Sequence, residues 1–364
     1  MITTLPARTG TPPTAPRRHG ITIGGIGLLV RRRGIVALLG CLLVLTALTV
    51  VALTTGALDL PLERVLAALR GQGTRIENLV VIDHRLVRML LGALVGFALG
   101  CAGALTQTIT RNPIATPDIL GVTAGAGAAA VLLLTNAAWA QSAFGIDARA
   151  LLGPASIVGG LLATAVILTT AWRGGFDGYR PILVGLGFNA LLIAATSWML
   201  TRASIEEASI ATRWLIGSLE GSEASDLLVL GPLLVVASLA CVVLAPMLGT
   251  LRLGRDVATA LGTRTAAVET SALVIAVLIV SAATATAGPI GFVAFVAPQA
   301  ALRLFGTAGP PPLAAGLVGA VLLLGSDLVA ERLPVSLPVG IVTTIVGAPA
   351  LLWFMAGRLR RSSV

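Results

Sequence analysis

Apolar runs of about 20 residues recur from residue 35 onward, separated by short polar stretches rich in arginine, glycine and proline. Each run is long enough to cross roughly 30 Å of bilayer hydrocarbon as a helix. The pattern predicts spans at 35–56, 88–109, 117–135, 151–172, 181–201, 227–248, 266–286, 289–305, 312–331 and 338–356. The eighth is short and interrupted by glycine and proline, which leaves a nine-span arrangement open. Strands of a transmembrane barrel would alternate apolar and polar residues over ~10 positions, and the runs do not.

One stretch, residues 85–127 (RLVRMLLGALVGFALGCAGALTQTITRNPIATPDILGVTAGAG), organises the rest. It opens on Arg85 and Arg88 and carries Gly92, Gly96 and Gly100 at four-residue spacing, the small-xxx-small pattern of closely packed membrane helices. It breaks at Arg111, Asn112 and Pro113, then restarts after Pro117. Two membrane helices meeting at a polar, proline-marked corner is where a transporter can place a gate. Asn-Pro is also a turn signal in any protein, and both roles fit.

Composition agrees with the pattern: 56% of the residues are hydrophobic and 11% are charged, against about 25% charged in soluble domains. All 25 basic residues are arginine. A Walker A loop requires lysine, so the chain lacks a conventional ATP site of its own, and ATP-driven work falls to a partner. The net charge of +9 does not mark a nucleic-acid partner, because its placement follows membrane topology. With the N-terminus in the cytosol, the arginine clusters at 31–33, 252–264 and 358–361 fall inside and most acidic residues fall outside, as the positive-inside rule requires. Cys41, Cys101 and Cys241 lie in apolar runs and read as buried, unpaired thiols. His19 and His84 are isolated, so no zinc or haem ligand set is present.

The chain divides into a disordered basic cytoplasmic tail (1–33), a transmembrane domain (34–357) and a short cytoplasmic C-terminal tail (358–364). Within 57–84, Leu58, Leu62, Val65, Leu66 and Leu69 have the spacing of an amphipathic surface helix. Trp214, in the acidic loop 202–226, is either an interfacial anchor or a packing residue of a short outer helix. The inner loop 249–265 is too polar to span. It places Leu253, Val257, Ala260 and Leu261 on one helical face and Arg255, Asp256 and Arg264 elsewhere. An interfacial helix and a helix docking into a groove on a soluble partner both fit.

Five segments then carry a resemblance: 85–127, WLIGSL (214–219), LGRDVATALG (253–262), AGPIGFVAFVAPQ (287–299) and LPVGIVTTIVGAPALLW (337–353). In this order and spacing the chain resembles the permease subunits of ATP-binding-cassette importers for ferric siderophores, haem and cobalamin, from about residue 35 to its end. The resemblance implies an all-α membrane fold of about ten helices in two inverted five-helix halves. It implies a second permease subunit (a paralogue in preference, a second copy as the alternative), two cytosolic ATPases that bind the ATP and Mg²⁺, and an extracytoplasmic siderophore-binding protein. The chain itself holds no cofactor or metal, is not an enzyme, and sits in the cytoplasmic membrane with both termini inside.

Roles carry over residue by residue. Arg85 and Arg88, with Arg332 as a third, match the family's outward arginines that meet acids on the binding protein, where exposed charges steer docking. Asn112, Pro113 and Ile114, with Gly178 and Tyr179 before the fifth span, match its cytoplasmic gate. Leu253, Gly254, Arg255, Ala260, Leu261 and Gly262 match the coupling helix that enters the ATPase, with Gly254 and Gly262 as turn positions. Two departures stand out. Gln299 follows Pro298 where many relatives carry histidine, and residues 307–312 replace an Asp-His-Arg-like stretch; the glutamine form is closer to the siderophore branch. Cobalamin or haem cargo is the first alternative. A secondary transporter would need ionisable residues at mid-span, and Asp327, the one candidate, lies near a span end beside Glu331.

Overall fold

A computed structural model describes residues 20–23, 26–29, 32–56, 58–145, 148–171, 180–333, 335 and 337–362. Ahead of the first helix, β1 (Gly20–Ile23) pairs antiparallel with β2 (Ile26–Leu29), with Ile23 opposite Ile26. This part of the expected disordered tail therefore carries regular structure. The alternation of Ile21, Ile23, Ile26 and Leu28 about a Gly-Gly pair is a hairpin signal that the polar composition of 1–33 obscured. Residues 1–19 lie outside the described residues.

The helices follow in chain order. They are α1 (Arg32–Thr54), α2 (Leu62–Leu69), α3 (Arg75–Asn78), α4 (Val87–Ile109), α5 (Val122–Leu134), α6 (Ala137–Phe144) and α7 (Ala148–Ala171). Then come α8 (Arg180–Arg202), α9 (Ile205–Ile216), α10 (Ala224–Leu251), α11 (Arg255–Ala260) and α12 (Thr265–Ala287). The last three are α13 (Val293–Phe305), α14 (Pro312–Arg332) and α15 (Val339–Ser362). Among the described residues, seven helices are long and apolar enough to cross a membrane. Three shorter apolar helices, α5, α13 and Val339–Phe354 of α15, take the other expected spans. The eighth span is thus a helix, although only 13 residues long. α15 runs on into the expected C-terminal tail as far as Ser362.

Burial places α4 at the centre. Its apolar window is 78% buried, against 6% for α1 and 11% for α8, which lie at the periphery. α4 packs chiefly on α14, and also on α12 and α13. The reason is side-chain size. A Cβ at Gly96 would overlap the carbonyl of Gly319, one at Gly100 that of Ala315, and one at Gly103 that of Ala294. Backbone meets backbone there, as small-xxx-small seams allow in the absence of a hydrophobic drive between helices. Gly92 is different: its Cβ position faces the Leu219 side chain at 3.0 Å, so it makes room for a loop residue and not for a helix. Cys101 on α4 and Cys241 on α10 are free and buried, with their sulfurs 3.7 Å apart.

The two halves repeat one packing scheme. α5 lies on α7 as α13 lies on α14, and α4 meets α14 as α12 meets α7. α8 and α15 flank α5 and α13 in the same way. In each half a proline-containing corner precedes a 13-residue helix. Equivalent helices are offset by five positions in the order of spans, an odd number, which is the offset an inverted repeat requires.

The loop after α1 contains the expected amphipathic helix, α2 (Leu62–Leu69). α2 buries Val65 and Ala68 against Leu53, Leu60 and Val81, and leaves Leu62, Leu66 and Leu69 exposed. From Arg75 the chain is already helical. A π-helical stretch (Leu79–Leu86) joins α3 to α4 in one 35-residue rod through Ile109. The rod starts at a capping box: the Thr74 hydroxyl accepts from the Glu77 amide at 3.3 Å, and Glu77 accepts from the Thr74 amide at 2.8 Å. Arg64 of α2 adds an ion pair to Glu77 at 2.6 Å. Thr-x-x-Glu is legible in sequence as a helix start.

Candidate gate, arginine mouth and coupling helix

The corner after α4 is built by its own side chains. Arg111 turns the chain with φ 51°, an uncommon conformation for a residue with a Cβ. The Asn112 side-chain oxygen then accepts from the Ile114 amide at 3.1 Å, and its backbone carbonyl from the Ala115 amide at 3.2 Å. Pro117 opens a 3-10 turn (Pro117–Leu120) that ends at Gly121 with φ 75°. α8 holds this turn closely: Asn189 donates to the Asp118 carbonyl at 2.9 Å, and a Cβ at Gly185 would overlap the Ile119 carbonyl. Asn112 therefore makes the turn that its sequence signals, and the turn leaves Ile114 44% exposed. Gly178 and Tyr179, the expected second element of the gate, lie outside the described residues.

The repeat mate of this corner, at residues 288–292, is locked. Gly288 (φ 69°) and Gly217 (φ 78°) let three backbones meet, and Ser218 donates to the Ala287 carbonyl at 2.8 Å. The Gly340 amide donates to the Gly217 carbonyl at 3.1 Å, and Ile290 is only 4% exposed. Three of the sequence segments, 214–219, 287–299 and 337–353, thus converge on one knot of glycines. They lie far apart in sequence and touch only in the fold. One corner is fixed and the other presents an open isoleucine.

At the end of the bundle bearing α2 and α9, Arg85, Arg88 and Arg332 come together. Arg88 forms a two-pronged ion pair with Asp327, Nε to one oxygen at 2.9 Å and Nη2 to the other at 2.8 Å. Asp327 is buried, with its side chain 4% exposed, and the Arg88 side chain is 27% exposed. Arg85 donates to the carbonyls of Leu53 and Leu58, and Arg332 to the Leu328 carbonyl and the Thr55 hydroxyl. All three arginines are committed within the chain; Arg85 and Arg88 line one mouth, and Arg332 follows Glu331 of its lining. A cavity of about 570 Å³ opens there, lined by Arg85, Arg88, Glu220, Glu223, Asp327 and Glu331 among others. Asp327 is thus a structural counter-ion. Replacing Arg88 by alanine strands that carboxylate and is expected to cost about 3 kcal/mol, with Asp327→Asn milder. Thermal unfolding in detergent reads the difference.

At the opposite end, α11 stands between two glycines in positive φ, Gly254 at 110° and Gly262 at 81°. It buries Ala258 and turns Leu253, Val257 and Leu261 outward, at 63%, 47% and 61% exposure. Ala260 is also exposed. Arg255 is not on that face: it pairs with Glu269 of α12 at 2.9 Å. Arg252, at the foot of α11, donates to the Pro310 carbonyl at 2.9 Å, so the loop 306–311 rests on it. A second pair joins α4 to α13, with Gln299 donating to Gln107 at 2.7 Å. Glutamine at 299 therefore has a partner in its own chain.

A FecCD transport family model matches residues 42–357. The ferric enterobactin transport system permease protein FepG of Escherichia coli (strain K12) is 37% identical over 329 residues, covering 89% of this chain and 97% of that protein. The ferric enterobactin transport system permease protein FepD of the same strain is 34% identical over 330 residues, covering 89% and 96%. A solved structure ascribed to a metal-chelate type ABC transporter in an inward-facing conformation superposes with a TM-score of 0.75 at 26% identity, covering 88% of this chain and 99% of that one. The chain belongs to the FecCD transport family and is an integral membrane protein.

Proposed function

We propose that this chain is a permease subunit of an ATP-binding-cassette importer that carries intact ferric-siderophore complexes across the cytoplasmic membrane. The observation that carries the reading is the match, over 89% of the chain, to permease proteins of a ferric enterobactin transport system, joined to a fold with one locked corner and one open one. The end bearing α11 faces the cytosol, because Arg33, Arg111, Arg252, Arg255 and Arg264 cluster there. Both termini then lie inside. The exposed Leu253, Val257 and Leu261 fit a groove on a cytosolic ATPase, the helix-in-groove mode. ATP and Mg²⁺ bind on two such ATPases, and the chain itself catalyses nothing.

The mouth at Arg85, Arg88 and Arg332 faces outward and receives a siderophore-binding protein. With Arg88 held by Asp327, steering falls mainly to Arg85 and Arg332 at the rim. Asn112, Pro113 and Ile114, with Gly178 and Tyr179, close the inner end against a second permease subunit. FepG and FepD are two different permeases of one ferric enterobactin system, which favours a paralogue in that place.

The test is uptake of labelled iron, supplied on several siderophores, by a strain lacking this chain. Loss of uptake from at least one siderophore, restored by the gene, is expected. Undiminished uptake from all of them, with cobalamin or haem uptake lost instead, would move the cargo to that alternative.

A further inference from the structure

Glu269 sits in the second turn of α12, 4% exposed, and its carboxylate accepts from the Arg255 guanidinium of α11 at 2.9 Å. Arg111, the strained residue of the inner corner, lies close enough to attract the same carboxylate. Glu269 therefore stands between the helix offered to the cytosolic partner and the corner that carries Asn112, Pro113 and Ile114. α12 also packs along α4, the helix that ends at that corner.

A carboxylate withdrawn from water is stable only while its counter-charges stay in place. Attraction between full charges in a poorly polarisable interior falls off slowly with distance. A displacement of α11 is therefore felt at Glu269 and, through it, at Arg111. An ion pair held by a directed hydrogen bond opposes separation over a longer range than an apolar contact, whose attraction is lost within an ångström or so.

We propose that the Arg255–Glu269 pair is a strut that passes the movement of α11 to α12 and to the Arg111 corner, making Glu269 a positioning residue for the gate. The proposal rests on reading the chain as an ATP-driven permease. It also reassigns Arg255, whose side chain serves the interior of the bundle while Leu253, Val257 and Leu261 serve the partner.

The experiment reconstitutes the whole importer in liposomes and measures iron chelate taken up per ATP hydrolysed, using a labelled ferric siderophore that the unaltered complex imports. Arg255→Glu and Glu269→Arg are each expected to leave ATP hydrolysis running while uptake per ATP falls about tenfold. The double exchange restores the ratio to within about threefold of the unaltered complex. Single reversals with an unaltered ratio, or a double exchange no better than either single, overturn the strut. Should the reversals block membrane insertion, Glu269→Gln removes the charge at equal volume and leaves Arg255 partly solvated. It is expected to assemble and to lose uptake per ATP. An unaltered ratio in that variant, or its failure to assemble, overturns the proposal. An unaltered complex that hydrolyses ATP and imports no chelate contradicts the permease reading instead, so the two failures are distinct.

Discussion

A chain carrying Gly262→Trp reaches the membrane and pairs with its second permease, yet imports about 100-fold less cargo than the unaltered chain. The physical cause lies in how α11 ends. The Thr263 amide donates to the Ala258 carbonyl and the Gly262 amide to the Thr259 carbonyl, both at 2.9 Å. That pair of bonds is a Schellman motif with Gly262 at its left-handed position. With φ at 81° and nothing within 4 Å of a Cβ there, space is ample and the obstacle is the backbone. A residue with a Cβ pays roughly 1–2 kcal/mol for that conformation, and an indole beside Leu261 covers the face offered to the ATPase. α11 buries little beyond Ala258, and Gly262 lies at the end of the helix away from the Arg255–Glu269 pair, so the substitution leaves the packing of the bundle in place. Insertion is read by membrane fractionation, and coupling by ATP-dependent uptake. Normal uptake would show that α11 does not transmit.

Gly100→Leu acts on the other side of that division, on the bundle and not on its coupling. Its Cβ would overlap the carbonyl carbon and oxygen of Ala315, which are backbone atoms and cannot rotate away. α4 and α14 have to separate along their whole seam, and the expected loss is about 3 kcal/mol or more. Gly40→Leu on α1 is the control, because nothing lies within 4 Å of its Cβ position; it is expected to stay within about 0.5 kcal/mol. Thermal unfolding in detergent separates the two. Equal midpoints would mean that the seam is looser than its geometry.

Much of this was legible in the amino-acid order. Spans of about 20 apolar residues announce themselves, Gly96 and Gly100 of the four-spaced glycines mark the α4 seam, and Gly254 and Gly262 mark both ends of α11. Asn112 announced its own turn. What stayed hidden depends on partners distant in sequence. Arg88 reads as an outward charge until Asp327, on α14, is brought beneath it. Arg255 reads as a solvated charge on a short helix until Glu269 is seen to be buried. The glycine knot needs three loops at once, and no periodicity encodes it. The extension of α4 back to Arg75 is encoded in the Thr74–Glu77 capping box, although the polar run Asp83-His84-Arg85 that follows it does not read as part of an apolar span.

The central claim is that this chain passes a ferric-siderophore complex inward under the power of ATP hydrolysed elsewhere. Its most direct test is uptake into proteoliposomes that hold this chain, its permease partner and the ATPases, with binding protein and labelled ferric siderophore outside. The account predicts accumulation that requires enclosed ATP and stops when this chain is omitted. Accumulation that is indifferent to ATP and follows an imposed proton or sodium gradient would contradict it.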